Sequence, residues 1–255
     1  MIDLHCHILP GVDDGAKTME DSIAMAMAAA DEGIHTIVAT PHHQNGRYTN
    51  EKETVLEKIK ELNEELQIKG VPLQILPGQE IRIHGELIEE LNEGISMGMG
   101  NTTNYLFIEL PSGHVPRFAN QMLFDLQVEG YRPVIVHPER NREIMEDPSL
   151  LYDMVKKGIF TQVTAASVAG KFGKKIQTFS HQLIEANLTH FIASDAHNTT
   201  TRGFCLQEAY EEIDKQFGAG IKYMFMENAE LLLDNLHINV DEPMPVKRKK
   251  FLGLF

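Results

Sequence analysis

Short apolar runs alternate with amphipathic stretches along most of this chain. Ile2–Cys6, Thr36–Ala39, Leu73–Leu76, Tyr105–Leu110, Pro133–Val136, Phe160–Val163 and His190–Ala193 each read as a strand. Between them the apolar positions recur at helical spacing. Glu20–Glu32 reads as a helix rich in Ala and Met, with Gly33 as its stop signal. A charged helix is expected from an Asn50 N-cap to about Lys69, closed by Gly70 and Pro72. Further helices are expected over Phe118–Glu129, Ser149–Lys157, Lys174–Asn187, Phe204–Phe217 and Glu227–Leu236. Strands alternating with helices predict a parallel sheet with right-handed crossovers. Seven such units point to a closed or nearly closed α/β barrel rather than an open sheet. At 255 residues the chain fits one domain. Residues 1–240 are assigned to the barrel and 241–255 to a linker and tail, the last ten residues reading VKRKKFLGLF.

The chemistry sits where those strands end. His5 and His7 are two apart on the first strand, so both imidazoles face one way while Cys6 faces packing. The second strand runs into ATPHH and delivers His42. The third ends LPGQE and delivers Glu80. The fourth ends IEL and delivers Glu109, and the fifth ends VIVHPER and delivers His137. The seventh ends IASDAH, giving Asp195 and His197, again two apart. The sixth, FTQVT, offers no such side chain. Asp14, in the turn PGVDDG, joins the set as a candidate ligand and catalytic residue, against a plainer reading as a turn or capping residue. Taken singly, each has a bland explanation: a cap, a core histidine, a loop residue. Taken together they converge, because residues at the C-terminal ends of different barrel strands meet in space. Buried carboxylates and imidazoles are costly unless paired or bound to metal.

The donor set is nitrogen and oxygen with no thiolate, which favours a hydrolytic Mn, Fe, Zn or Mg site over a structural cysteine–zinc site. Nine ligands exceed one ion, so two or three are implied, with Glu80 as a bridge. Arg140 and Arg202 follow the ligands closely in sequence and suit bidentate phosphate binding. The formal charge of −14 argues against a nucleic-acid partner. Cys6 and Cys205, the only cysteines, make no disulfide framework. No apolar run is long enough for a membrane span, and a strand begins almost at the first residue, so a cytoplasmic protein without a signal peptide is expected. The basic and apolar tail is read as a terminus, disordered or docked, or as a contact with a membrane surface or partner.

Jointly, DLHCHILPGVDDG, TPHH, GQEIRI, IELP, HPERN and SDAHN resemble the PHP family, and within it the bacterial protein-tyrosine phosphatases of the capsule and exopolysaccharide type. The resemblance covers nearly the whole chain before Asp241. It implies a distorted (β/α)7 TIM-like barrel with three metal ions, often manganese, at the C-terminal ends of the strands. One ion would take His5, His7, Glu80 and Asp195. A second would take Glu80, Glu109 and His137, and a third Asp14, His42 and His197. Arg140 and Arg202 would cradle the phosphoryl group, and the implied partner is a tyrosine-phosphorylated bacterial kinase. A small-molecule phosphomonoesterase, such as a histidinol phosphatase, is the alternative.

Overall fold

The seven apolar runs all form strands, but two of them break before reaching the ligands. The computed structural model describes residues 1–247. Its strands are β1 (Ile2–Cys6), β2 (Thr36–Ala39), β3 (His42–His43), β4 (Gln74–Pro77), β5 (Glu80–Arg82), β6 (Tyr105–Glu109), β7 (Arg132–Val136), β8 (Phe160–Thr164) and β9 (Phe191–Ala193). The second run is interrupted between β2 and β3 at Thr40-Pro41, where proline has no N–H to give to a ladder. The third is interrupted between β4 and β5 at Gly78-Gln79. A Cβ on Gly78 would lie 2.7 Å from Val38 Cγ1, so only glycine lets the backbone pass so close to β2.

Every strand pair is parallel, as expected. The ladders nevertheless form two sheets, ordered β1-β2-β4 and β3-β5-β6-β7-β8-β9, and not one closed barrel. The two breaks explain the division on one side. On the other, β1 meets the segment after β9 through a single bridge, Cys6 to Ala196. There Asp195 N–H donates to His5 O and His7 N–H to Ala196 O, both at 2.8 Å. The buried Asp3 carboxylate completes the seam by accepting from the Ser194 N–H at 2.9 Å and from its hydroxyl. A side chain there does what a backbone carbonyl does elsewhere in a sheet.

Alternate strand residues face two cores, which is why the strands read as continuous apolar runs. Leu4, Val38, Tyr105, Phe107, Val134 and Phe191 pack on the inner side. Ile37, Ile75, Leu106, Ile108, Ile135 and Ile192 pack outward against helices. Those helices are α1 (Met19–Asp31), α2 (Lys52–Lys69), α3 (Leu87–Glu93), α4 (Ala119–Val128), α5 (Arg142–Glu146), α6 (Ser149–Lys156), α7 (Ala165–Val168), α8 (Lys174–Glu185), α9 (Leu206–Phe217) and α10 (Ala219–Leu233).

Two local expectations are corrected. The N-cap of α2 is Glu51, without a side-chain cap bond, and the Asn50 amide instead donates to the carbonyls of Val12 and His42. Helix α10 begins at Ala219, well before the expected Glu227, because Gly218 separates it from α9. In the stretch read as a linker, Met244 N–H donates to Ala186 O at 2.8 Å, and Asn187 donates to Glu242 O. Val246 packs against the outer core, and the rest of the predicted tail, residues 248–255, lies outside the described residues. Among the described residues, no helix is long and apolar enough to cross a membrane.

Candidate metal centre

His5 and His7 end β1 with their Nε2 atoms 3.3 Å apart. The other nitrogen of each ring is already engaged. His5 Nδ1 donates to Gln162 Oε1 at 2.9 Å, and His7 Nδ1 donates to Asp13 Oδ2 at 2.6 Å. Both Nε2 atoms therefore present lone pairs to the same point. Glu80 Oε2 approaches them at 3.5 and 3.3 Å, and Asp195 Oδ1 at 3.7 and 3.4 Å. Ligands about 2.0–2.2 Å from a tetrahedral ion lie roughly 3.3–3.6 Å from each other. Four buried donors at this spacing fit a divalent cation.

The remaining expected ligands surround this quartet. Glu80 Oε2 lies 2.7 Å from His42 Nδ1, yet both atoms are buried without hydrogen-bond geometry. Glu80 Oε1 accepts from His137 Nε2 at 2.6 Å. Glu109 Oε2 is 3.7 Å from His42 Nδ1. On the other flank, Asp14 Oδ1 lies 3.4 Å from His42 Nε2 and 3.5 Å from His197 Nε2, a further buried nitrogen without a partner. All nine side chains expected from sequence thus form one contiguous cluster. Three overlapping groups have ligand-like spacing: His7 with Asp14, His42 and His197; His5 with His7 and Glu80; His42 with Glu80 and Glu109. His42 takes the place expected of His137 in the last group.

The electrostatics show how crowded the site is. Burial opposes charge on His42, but Glu80 and Asp14 outweigh it and carry its pKa to about 10. Burial would raise Glu80, but His42 and His5 beside it hold it well below the usual carboxylate range. Glu109 is pushed up, by burial first and then by the charge of Glu80. His197 is pulled down to about 4 by burial and by His7. Carboxylates that oppose each other's ionisation gain most from added positive charge.

Asp195 joins this cluster to the two arginines. Its Oδ1 faces His5 and His7, while Oδ2 accepts from Arg140 Nη2 and from Arg202 Nη2, the latter at 3.1 Å. The Arg140 guanidinium stacks 5.5 Å from the Phe172 ring centroid. A cavity of about 160 Å³ opens beside them, lined by His42, Glu109, His137, Arg140, Asn141 and Arg202 among others. Two of the converging residues hold left-handed backbone: His137 has φ 38° and Asp195 has φ 54°. Such conformations cost a bulky residue about 1–3 kcal/mol and persist where surrounding contacts fix them.

Sequence reasoning missed the supports. Asp13 accepts from His7, from the Gly15 N–H at 2.9 Å and from the His42 N–H at 3.2 Å. Its turn closes on β1 so tightly that a Cβ on Gly15 would lie 1.9 Å from His7 O. Gln162 is the contribution of the strand that carries no expected ligand. Arg82 clamps Glu109 Oε2 through Nε at 3.0 Å and Nη2 at 2.9 Å. His43, next to His42, turns away from the cluster and meets Glu90 at 3.0 Å.

Comparison with known proteins follows the same lines. The chain is 55% identical to tyrosine-protein phosphatase YwqE of Bacillus subtilis over the full length of both. It is 40% identical to CapC of Staphylococcus aureus, again across the whole of both chains. Among solved structures, it superposes with a TM-score of 0.95 and 55% identity on a chain from the crystal structures of YwqE and of Streptococcus pneumoniae CpsB, described there as unique metal-dependent tyrosine phosphatases. That match covers 97% of this chain and 100% of the other. The capsular polysaccharide synthesis model CpsB/CapC matches residues 1–234, and this chain belongs to that family.

Proposed function

We propose that this chain is a metal-dependent phosphatase that hydrolyses phosphotyrosine on proteins, in the setting of capsule or exopolysaccharide synthesis. The observation that carries the reading is Asp195, which joins a quartet of metal-spaced donors on one oxygen to two arginines on the other. In this reading one ion is held by His5, His7, Glu80 and Asp195, a second by Glu80, Glu109 and His137, and a third by Asp14, His42 and His197. Manganese is the proposed metal, with Fe, Zn or Mg as alternatives. Bound ions supply charge that makes water nucleophilic at neutral pH and neutralises a phosphoryl group.

The chain's own residues do the rest. Arg140 and Arg202 orient the phosphoryl oxygens and stabilise charge on them as the ester bond breaks. Glu139, fully buried, accepts from the Thr164 N–H and the Ser167 hydroxyl and so fixes the turn that carries Arg140. Gln162 and Asp13 hold His5 and His7 in the tautomer whose Nε2 is free for metal. A phenolate leaving group needs little protonation, which suits a tyrosine ester.

The same reading takes residues 1–240 as one catalytic unit, a (β/α)7-type barrel whose ladder is interrupted into two sheets, with 241–255 as an appendage that contacts a membrane surface or a partner. It places the protein in the cytoplasm and its substrate on a tyrosine-phosphorylated bacterial kinase. The test is elemental analysis of purified protein together with hydrolysis of a phosphotyrosine peptide before and after chelation. Histidinol phosphate and single-stranded DNA serve as rival substrates. Peptide hydrolysis that survives complete metal removal, or that is absent with every divalent metal, overturns the reading.

A further inference from the structure

The arginines of this chain are not evenly spread. Of eight, six lie on a segment leaving the C-terminal end of a strand, or on its last residue: Arg47, Arg82, Arg117, Arg140, Arg142 and Arg202. Three of these are committed within the site. Arg82 is clamped to Glu109, and Arg140 and Arg202 to Asp195. The other three, Arg47, Arg117 and Arg142, are exposed, and among the described residues no carboxylate lies within 4.0 Å of their guanidiniums.

Each of the three lies on a segment that carries, or packs against, a residue lining the cavity. Arg47 sits on the loop after β3, its guanidinium 5.0 Å from the Tyr48 ring centroid, and that ring lies parallel to His42 on the cavity wall. The Asn45 side chain pins the loop by accepting from the Arg47 and Tyr48 N–H groups at 3.0 and 2.8 Å. The loop carrying Arg117 is knitted to the segment carrying Arg142. Arg142 N–H donates to Ser112 O at 2.9 Å, and the Asn141 amide donates to the carbonyls of Pro111 and His114. Ser112 and Asn141 line the same cavity.

A chain of formal charge −14 repels an acidic peptide at long range. Guanidiniums without a carboxylate partner, on loops that adjoin the cavity-lining residues, reverse that locally and can bind carboxylate or phosphate through paired N–H groups. We infer that Arg47, Arg117 and Arg142 form a docking rim for anionic groups flanking the phosphotyrosine on a peptide substrate. The inference rests on the phosphatase reading above and adds the character of the substrate around the scissile ester. The flanking group is an acidic side chain or a second phosphate, which share the same chemistry.

The test compares kcat/KM for para-nitrophenyl phosphate and for three phosphotyrosine peptides: one with neutral flanks, one with Asp and Glu flanks, and one with a second phosphotyrosine. The metal-loaded full chain is measured beside a variant carrying Arg47→Gln, Arg117→Gln and Arg142→Gln. Three exposed ion pairs together should favour an anionic-flank peptide over the neutral one by roughly tenfold at low salt. The preference should fade in 0.5 M salt, at about which the Debye length falls to a few ångströms. The triple variant should lose the preference while hydrolysing para-nitrophenyl phosphate within twofold of the parent, which also certifies its fold. Whichever anionic peptide is preferred identifies the source of the flanking charge. Equal kcat/KM for all three peptides, or a preference that the triple variant keeps, overturns the rim and leaves the phosphatase reading standing. No turnover of any of the four substrates overturns both.

Discussion

Asp13 accepts a 2.6 Å hydrogen bond from His7 Nδ1, and the same oxygen accepts from the backbone N–H of His42. One buried carboxylate therefore orients the His7 ring at the end of β1 and anchors the entry to β3. Carboxylates that steady metal-bound histidines typically contribute 10–100-fold in metal affinity. Asp13→Ala should weaken metal binding by about that factor, read by equilibrium dialysis. Asp13→Asn, whose amide oxygen still accepts a hydrogen bond, should recover part of the loss. Metal affinity unchanged in Asp13→Ala would reduce Asp13 to a turn residue.

Glu80 touches more of the cluster than any other side chain described above, with His5, His7, His42 and His137 all within 3.5 Å of its oxygens. Glu80→Ala should abolish turnover and lower the metal content of purified protein. Thermal unfolding gives an independent check. A ligand at 100 times its dissociation constant stabilises a fold by about 2.7 kcal/mol. Manganese should therefore raise the melting temperature of the parent chain clearly more than that of the variant. Full activity in Glu80→Ala would remove the bridging role.

Arg140 is held by Asp195 and the Phe172 ring beside the cavity, without being one of the expected metal ligands. Arg140→Ala should leave metal content intact while weakening competitive inhibition by inorganic phosphate. A hydrogen bond to a charged group contributes about 1.5–3 kcal/mol, so the inhibition constant should rise roughly 10–100-fold. Arg140→Lys should recover little of this, because an ammonium does not reproduce the planar fork. Unchanged phosphate inhibition in Arg140→Ala would take this residue out of the substrate site.

How legible each part was depends on what its residue type advertises. His5 and His7 could be found because a strand puts residues two apart on one face, and because the ends of the other strands supply further imidazoles and carboxylates to meet them. Asp13 and Asp14 are neighbours in one turn, and spacing says nothing about which supports a histidine and which faces His42 and His197. Gln162 was invisible for a different reason: an amide in an apolar strand is no metal ligand, and its task is to hold His5. The parallel α/β order followed from alternating runs, but the division into two sheets did not. It depends on Pro41 withholding a donor, on β2 passing close to Gly78, and on Asp3 standing in for backbone at the β1 seam. These are contacts between distant segments, and hydrophobic periodicity carries no record of them.

His190, away from the metal cluster, sets a pH dependence of stability that can be separated from metal chemistry. Its Nδ1 accepts from the Thr161 N–H at 3.0 Å and its ring packs edge-on against Phe160 at 5.2 Å. Accepting that bond requires a neutral ring, and burial lowers the pKa from 6.5 to about 3. Between those values the unfolded chain binds a proton that the folded chain refuses. The contribution of neutral His190 is therefore fully present above pH 6.5 and declines as pH falls toward 3. The decline approaches about 1.4 kcal/mol per pH unit. His190→Asn keeps an acceptor near the Thr161 N–H and removes the titration. Urea unfolding of both proteins, each with chelator so that ligand protonation cancels, should show the parent losing its advantage over the variant between pH 6.5 and 4.5. Parallel stability curves across that range would show that the imidazole takes up its proton without leaving the fold.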